Sequence, residues 1–275
     1  MSAVATPTIP RLAHTGKVTQ ARVIVSEWTK LKSLRSTRYS LAAALLLTIG
    51  IAALACAVVA HHWAHMSFQD RHDFHPLEVN LAGVQIAQLA IGVLGVLVIT
   101  GEYSTGMIRA TLTAVPKRVP ALWAKALVFA YVVFMLMLPA VLIAFFVTET
   151  ILSKHDVLQG SFSDPGVARS LFGGAAYLAI LGVFTLGIGA ILRNTAGGIA
   201  AFAGVMFVIP PLLLLLPKGW DTTIAPYLPD ASGRAIFAVG HDSNLLAPWT
   251  GFGVFCAWAA GTLAVAAVLL LRRDA

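Results

Sequence analysis

The side chains best equipped for chemistry fall in two groups. The first is the stretch Gly101 to Lys125, GEYSTGMIRATLTAVPKRVPALWAK, where Glu102, Arg109, Lys117, Arg118 and Lys125 are interleaved with Gly101, Gly106, Pro116 and Pro120. Carboxylates, guanidinium and ammonium groups at this density bind other charges, such as protein carboxylates or lipid phosphates. A connection of about 25 residues with helix-forming character exceeds what a turn requires, which predicts that it contacts something. The second group is histidine: His61, His62, His65, His72 and His75 in HHWAHMSFQDRHDFHP. His61 and His65 can share a helix face, and His72 and His75 have a ligand-like spacing. No Cys or carboxylate completes a metal motif there, so neither a metal site nor a pH sensor is expected.

The motifs of the common enzymes are missing. The sequence has no HExxH, no GxSxG and no GxxxxGK[ST] phosphate loop. The nearest phosphate-loop candidate, Gly16–Lys17, has Arg11 where the first Gly belongs and Val18 where Ser or Thr belongs. The chain therefore does not bind ATP by that route, and no catalytic residue or cofactor is expected. Any energy for uphill movement must come from a partner, through a contact such as the charged stretch.

Composition fixes the setting of that stretch. Hydrophobic residues make up 58% of the 275 and charged residues 11%, whereas soluble domains carry about 25% charged residues. This is the composition of an all-α polytopic membrane protein. Six apolar runs, 41–60, 81–100, 126–147, 171–192, 196–216 and 250–271, are each near the roughly 20 residues that cross a bilayer as a helix. None holds a Lys, Arg, Asp, Glu or His in its interior, which disfavours an ion-coupled carrier. Asn80, Gln85, Gln88 and Thr185 are the main polar groups there. Cys56 and Cys256 lie in apolar runs and read as small buried hydrophobes.

Orientation follows from the cations. Of the 19 Lys and Arg, only Arg71, Lys154, Arg169, Lys218 and Arg234 fall on the side opposite the termini. That bias places both termini and the 101–125 loop in the cytoplasm of a multi-pass protein of the cell membrane. The formal charge of +7 is thus placed by topology and does not indicate nucleic-acid binding. Residues 1–17, rich in Pro, Thr and Ala, are expected to be a disordered tail, and 18–275 one transmembrane domain. Within 18–38, Val18, Ala21, Ile24, Val25, Trp28 and Leu31 fall on one helical face and Arg22, Ser26, Glu27 and Lys30 off it, the pattern of a helix lying in the membrane interface. A Pro-rich outer stretch between Lys218 and Trp249, with Ala231 to Val239 at its centre, predicts a broken or re-entrant segment before the last span. Gly92 with Gly95, Gly182 with Gly187 and Gly189, and the stripe Gly253, Ala257, Gly261 predict close helix packing, by default within the bundle, with a dimer seam as the alternative.

With its loop and topology taken together, the chain resembles the permease subunits of ABC-2 type exporters, in the ATP-binding cassette superfamily. The residues that carry the likeness are Glu102, Gly106, Met107, Ile108, Leu112, Pro116, Arg118 and Lys125, and the Glu–Trp–x–Lys core at Glu27, Trp28 and Lys30. The resemblance implies a cytoplasmic coupling helix between spans two and three that docks on a separate ATPase subunit. Glu102, Gly106, Met107, Arg109, Pro116, Arg118 and Lys125 are then the expected coupling residues, and Glu27, Trp28 and Lys30 those of the interface helix. It also implies a second permease copy or paralogue, contact with membrane lipids, and export of a drug-, peptide- or lipid-like cargo. A non-transporting membrane sensor or scaffold that recruits a cytoplasmic partner is the alternative.

Overall fold

The computed structural model describes residues 19–33, 35–72, 74–107, 118–155, 157–213, 215, 219–239 and 245–272, and every regular element among them is helical. The tail expected over 1–17, the connector residues Arg109, Pro116 and Lys117, and the side chain of Arg118 lie outside what is described. The principal helices are α1 (Gln20–Ser33), α2 (Arg35–His62), α3 (Pro76–Ser104), α4 (Arg118–Ser153), α5 (Val167–Leu192), α6 (Thr195–Leu213), α7 (Pro229–Arg234) and α8 (Pro248–Arg272). Six of them, α2 to α6 and α8, are long and apolar enough to cross a membrane. This is the architecture of a multi-pass membrane protein.

Helix ends are set by local chemistry. Pro76 opens α3 after an extended His75, as proline suits a first turn that lacks hydrogen-bond acceptors for its N–H. About one turn of α3 and two of α4 lie beyond the apolar runs and change the reading of the charged stretch: α3 continues to Ser104 and α4 begins at Arg118. Glu102 and Lys125 therefore sit on span helices and not in a free loop. Beyond α3 the chain bends at Gly106, whose φ of 71° is one that glycine adopts without a steric penalty. Between α5 and α6 the turn is as tight as the sequence predicts. Arg193 takes a left-handed φ of 52°, and the Asn194 side chain caps α6 by accepting the Gly197 N–H at 2.8 Å. Inside α6 a π-helical turn over Gly204–Val208 precedes Pro210 and Pro211; widening the turn accommodates prolines that cannot donate to the ladder.

The bundle is built round α5, which packs against α3, α4, α6 and α8, while α2 packs on α3 and α4. Small residues make this possible. A Cβ on Gly95 would lie 2.1 Å from Thr185 Oγ1 and 2.6 Å from the Gly182 carbonyl oxygen, so α3 and α5 are in backbone contact there. The polar residues add ties: Asn80 of α3 donates to Thr148 Oγ1 of α4 at 2.9 Å, and the buried Tyr177 hydroxyl of α5 donates to Gln88 Oε1 of α3. Gln85, by contrast, is exposed. The stretch expected to be broken contains α7, whose Pro229, Asp230, Ser232 and Gly233 are buried against α5 and α8, with Asp230 ion-paired to Arg234.

One packing expectation is corrected. Gly253, Ala257 and Gly261 turn away from the bundle: all three are exposed, and nothing approaches a Cβ on Gly253 or Gly261 within 4 Å. The face of α8 that packs is Gly251, Phe255, Ala259, Leu263, Ala266 and Leu270. A Gly95→Val substitution is therefore expected to destabilise the bundle by about 1–3 kcal/mol or more, and Gly261→Val, in the same helical context, to leave the monomer's melting temperature unchanged. Thermal unfolding in detergent reads both.

Candidate functional site

Four charged side chains from three helices meet at the connector end of the bundle. α1 supplies Glu27 and Lys30, one turn apart; the last turn of α3 supplies Glu102; the second turn of α4 supplies Lys125. Lys30 Nζ donates to Glu27 Oε1 at 2.7 Å and to Glu102 Oε1 at 3.1 Å. Lys125 Nζ donates to Glu102 Oε1 at 2.8 Å and also to Glu27 Oε2. Glu27, Glu102 and Lys125 are only 2%, 7% and 5% exposed. A single charge at that depth would be strongly disfavoured, but two acids and two bases in alternation sum to zero.

The rest of α1 fits this anchoring. Val23, Glu27 and Leu31, spaced four apart, form its buried face, and Gln20 Nε2 donates to the Pro120 carbonyl at 3.1 Å. The helix is thus tied to α4 at its start and at its middle. Helical projection put Leu31 with Val25 and Trp28 and set Glu27 apart. In the structure Leu31 and Glu27 share the inner face, whereas Val25 and Trp28 are exposed. Tertiary pairing outweighed amphipathicity here, because the ion partners lie on neighbouring helices. Trp28 meets Tyr131 at a tilt, ring centroids 6.1 Å apart, with Lys32 Nζ 5.5 Å above its ring.

Of the residues singled out from sequence, Glu27, Lys30, Glu102 and Lys125 are brought together. Trp28 lies on the outer face of α1. Gly106 and Met107 follow the end of α3, with Met107 43% exposed, on the way to the undescribed connector. Two contacts on this side escaped the sequence reading. Arg193 lies 5.1 Å over the Tyr103 ring, and Thr195 donates to Thr100 Oγ1 at 2.9 Å, fastening the α5–α6 turn to α3. A usable signal existed for the ion cluster: Glu27 and Glu102 are two of very few acids on a side crowded with cations, so each was a candidate for intramolecular pairing. No group of three or more potential metal ligands occurs among the described residues; His61 and His62 meet edge to face at 5.3 Å.

Electrostatics favour the charged form of Lys30. Burial lowers the Lys30 pKa, but the hydrogen bond to Glu27 and the charges of Glu102 and Glu27 outweigh it, so the ammonium titrates above its ordinary 10.5. A base held above its unfolded pKa stabilises the fold at all lower pH and loses that contribution only as pH rises past the ordinary lysine range. The arrangement offers no nucleophile or general acid poised on a substrate; what it does is hold three helix ends in one position. Lys125→Met is expected to cost about 3–5 kcal/mol, because it strands a net buried negative charge. Adding Glu102→Gln to it should recover part of that loss, a coupling of about 1–3 kcal/mol; strictly additive melting shifts would contradict the pairing. No protein-family model matches the chain, and no curated protein matches it.

Proposed function

We propose that this chain is the membrane-spanning permease subunit of an ATP-driven exporter of the ABC-2 type, working with ATPase subunits in trans. The observation that carries the reading is the ion cluster. It joins α1 to both helices that flank the connector, so a push on the connector is delivered to α1, α3 and α4 together. A connector that merely linked two spans would need no such brace.

In this reading the connector lies in the cytoplasm and carries the helix that docks on the ATPase. α1 lies in the membrane interface, with Val25 and Trp28 toward lipid and Val23, Glu27 and Leu31 toward the bundle. α7 and the turn after it form a re-entrant outer segment, its backbone shielded by α5 and α8 as non-spanning backbone at membrane depth requires. Closure of the ATPase subunits on ATP would move the braced helix ends as one body and reorient the bundle of a dimer of permeases. The cargo class is drug-, peptide- or lipid-like. Glu102 and Lys125 act in this scheme by transmitting force within the chain, and Arg109, Arg118 and Met107 by meeting the ATPase.

Co-purification with a co-expressed ABC-type ATPase subunit tests the reading. Wild type is expected to retain the ATPase in mild detergent. Arg109→Glu/Arg118→Glu is expected to lose it at least tenfold, the size of one or two charge-assisted contacts, without a change in melting temperature. A folded wild-type chain that binds no ATPase would overturn the exporter reading in favour of a scaffold.

A further inference from the structure

The ion cluster leaves one acceptor unmatched. Glu102 Oε1 receives both Lys30 and Lys125, whereas the buried Oε2 has no hydrogen-bond partner among the described residues. A buried carboxylate oxygen without a donor is disfavoured by the desolvation it has suffered, and a ligand that brings an N–H would relieve it. Glu102 also borders a cavity of about 380 Å³ between α1, the start of α2 and the end of α3.

The cavity changes character along α3. Leu94, Leu97 and Val98 line its deeper part, and Ser104 and Thr105 line the part nearer the connector. At 1.5 Å per residue, this gradient from apolar to polar runs over about 16 Å, in the sense in which lipid chains give way to head groups. Ser36, at the α1–α2 junction, and Lys30 also line it, a hydroxyl donor and a positive charge suited to phosphate oxygens. Because the four cluster charges cancel, the site favours a zwitterion over a net anion.

We infer that this cavity binds a phospholipid whose head group carries a primary ammonium, as phosphatidylethanolamine does. The ammonium donates to Glu102 Oε2, the phosphate lies toward Ser36 and Lys30, and the start of an acyl chain lies along Leu94, Leu97 and Val98. The inference rests on the membrane setting alone and is independent of the exporter reading. A bound lipid here would complete the hydrogen bonding of the brace, making its rigidity depend on head-group composition.

The test needs no ATPase. The purified chain is placed in nanodiscs with equal amounts of phosphatidylethanolamine, phosphatidylcholine and phosphatidylglycerol of matched chains. Lipid retained after gentle re-extraction is then counted by mass spectrometry. Expected is about tenfold enrichment of phosphatidylethanolamine over phosphatidylcholine, whose methylated nitrogen has no N–H to give; one charge-assisted hydrogen bond has that size. Leu97→Trp, which fills the cavity without touching the ion cluster, should return retention to the bulk ratio while the chain still melts as wild type does. Retention at the bulk ratio in wild type, or enrichment that survives Leu97→Trp, would overturn the proposal. Displacement of the lipid by chainless phosphoethanolamine would overturn it as well, assigning the site to a soluble amine.

Discussion

Charge burial at the edge of an apolar bundle is the constraint on which the connector side of this structure depends. Carboxylates and ammonium groups taken out of water must be matched almost completely, or the fold loses several kcal/mol. Glu27, Lys30, Glu102 and Lys125 meet that demand only when α1, α3 and α4 stand in one relative position, since each acid draws on bases from two helices. An apolar contact would tolerate sliding between helices; an alternating ring of charges does not. The cluster therefore fixes geometry, whatever its net contribution to stability.

The interior achieves fixity by other means. Within the bundle there is little hydrophobic difference between a neighbouring helix and lipid, so close packing and hydrogen bonds must hold the helices together. α5 does this with glycines that bring backbones into contact, as at Gly182 against Gly95, and through Tyr177, which bonds Gln88 of α3 while stacking on Phe255 of α8 at 5.3 Å. α8 presents its packing face to α5 and α7 and leaves Gly253, Ala257 and Gly261 outside. A rigid centre joined to a braced connector end is a body suited to moving as a unit.

Much of this was legible in the sequence because bilayer thickness imposes a length on apolar runs: all six spans and the tight turn at Arg193 to Thr195 could be read from it. The helix ends were not, since Gly101 to Ser104 and Arg118 to Lys125 are polar enough to look like loop, yet they continue helices, where each added residue gains a ladder hydrogen bond without a new nucleus. The inner face of α1 was misassigned for a related reason. Periodicity sorts residues by hydrophobicity, and Glu27 is buried through its partners on other helices. The small stripe on α8 shows the opposite limit: glycine spacing marks a surface capable of close approach, and the rest of the chain determines what approaches it.

The claim that the ion cluster holds α1 in place is tested most directly by hydrogen exchange across residues 20–33. In wild type these amides should exchange slowly along the Val23, Glu27 and Leu31 face. Glu27→Leu, which keeps that face apolar but removes the shared acid, is expected to speed exchange throughout α1 by at least tenfold while α5 stays protected, as for local opening of a helix that has lost its anchor. Unchanged protection of α1 in Glu27→Leu would contradict the account, showing that apolar packing alone secures the helix.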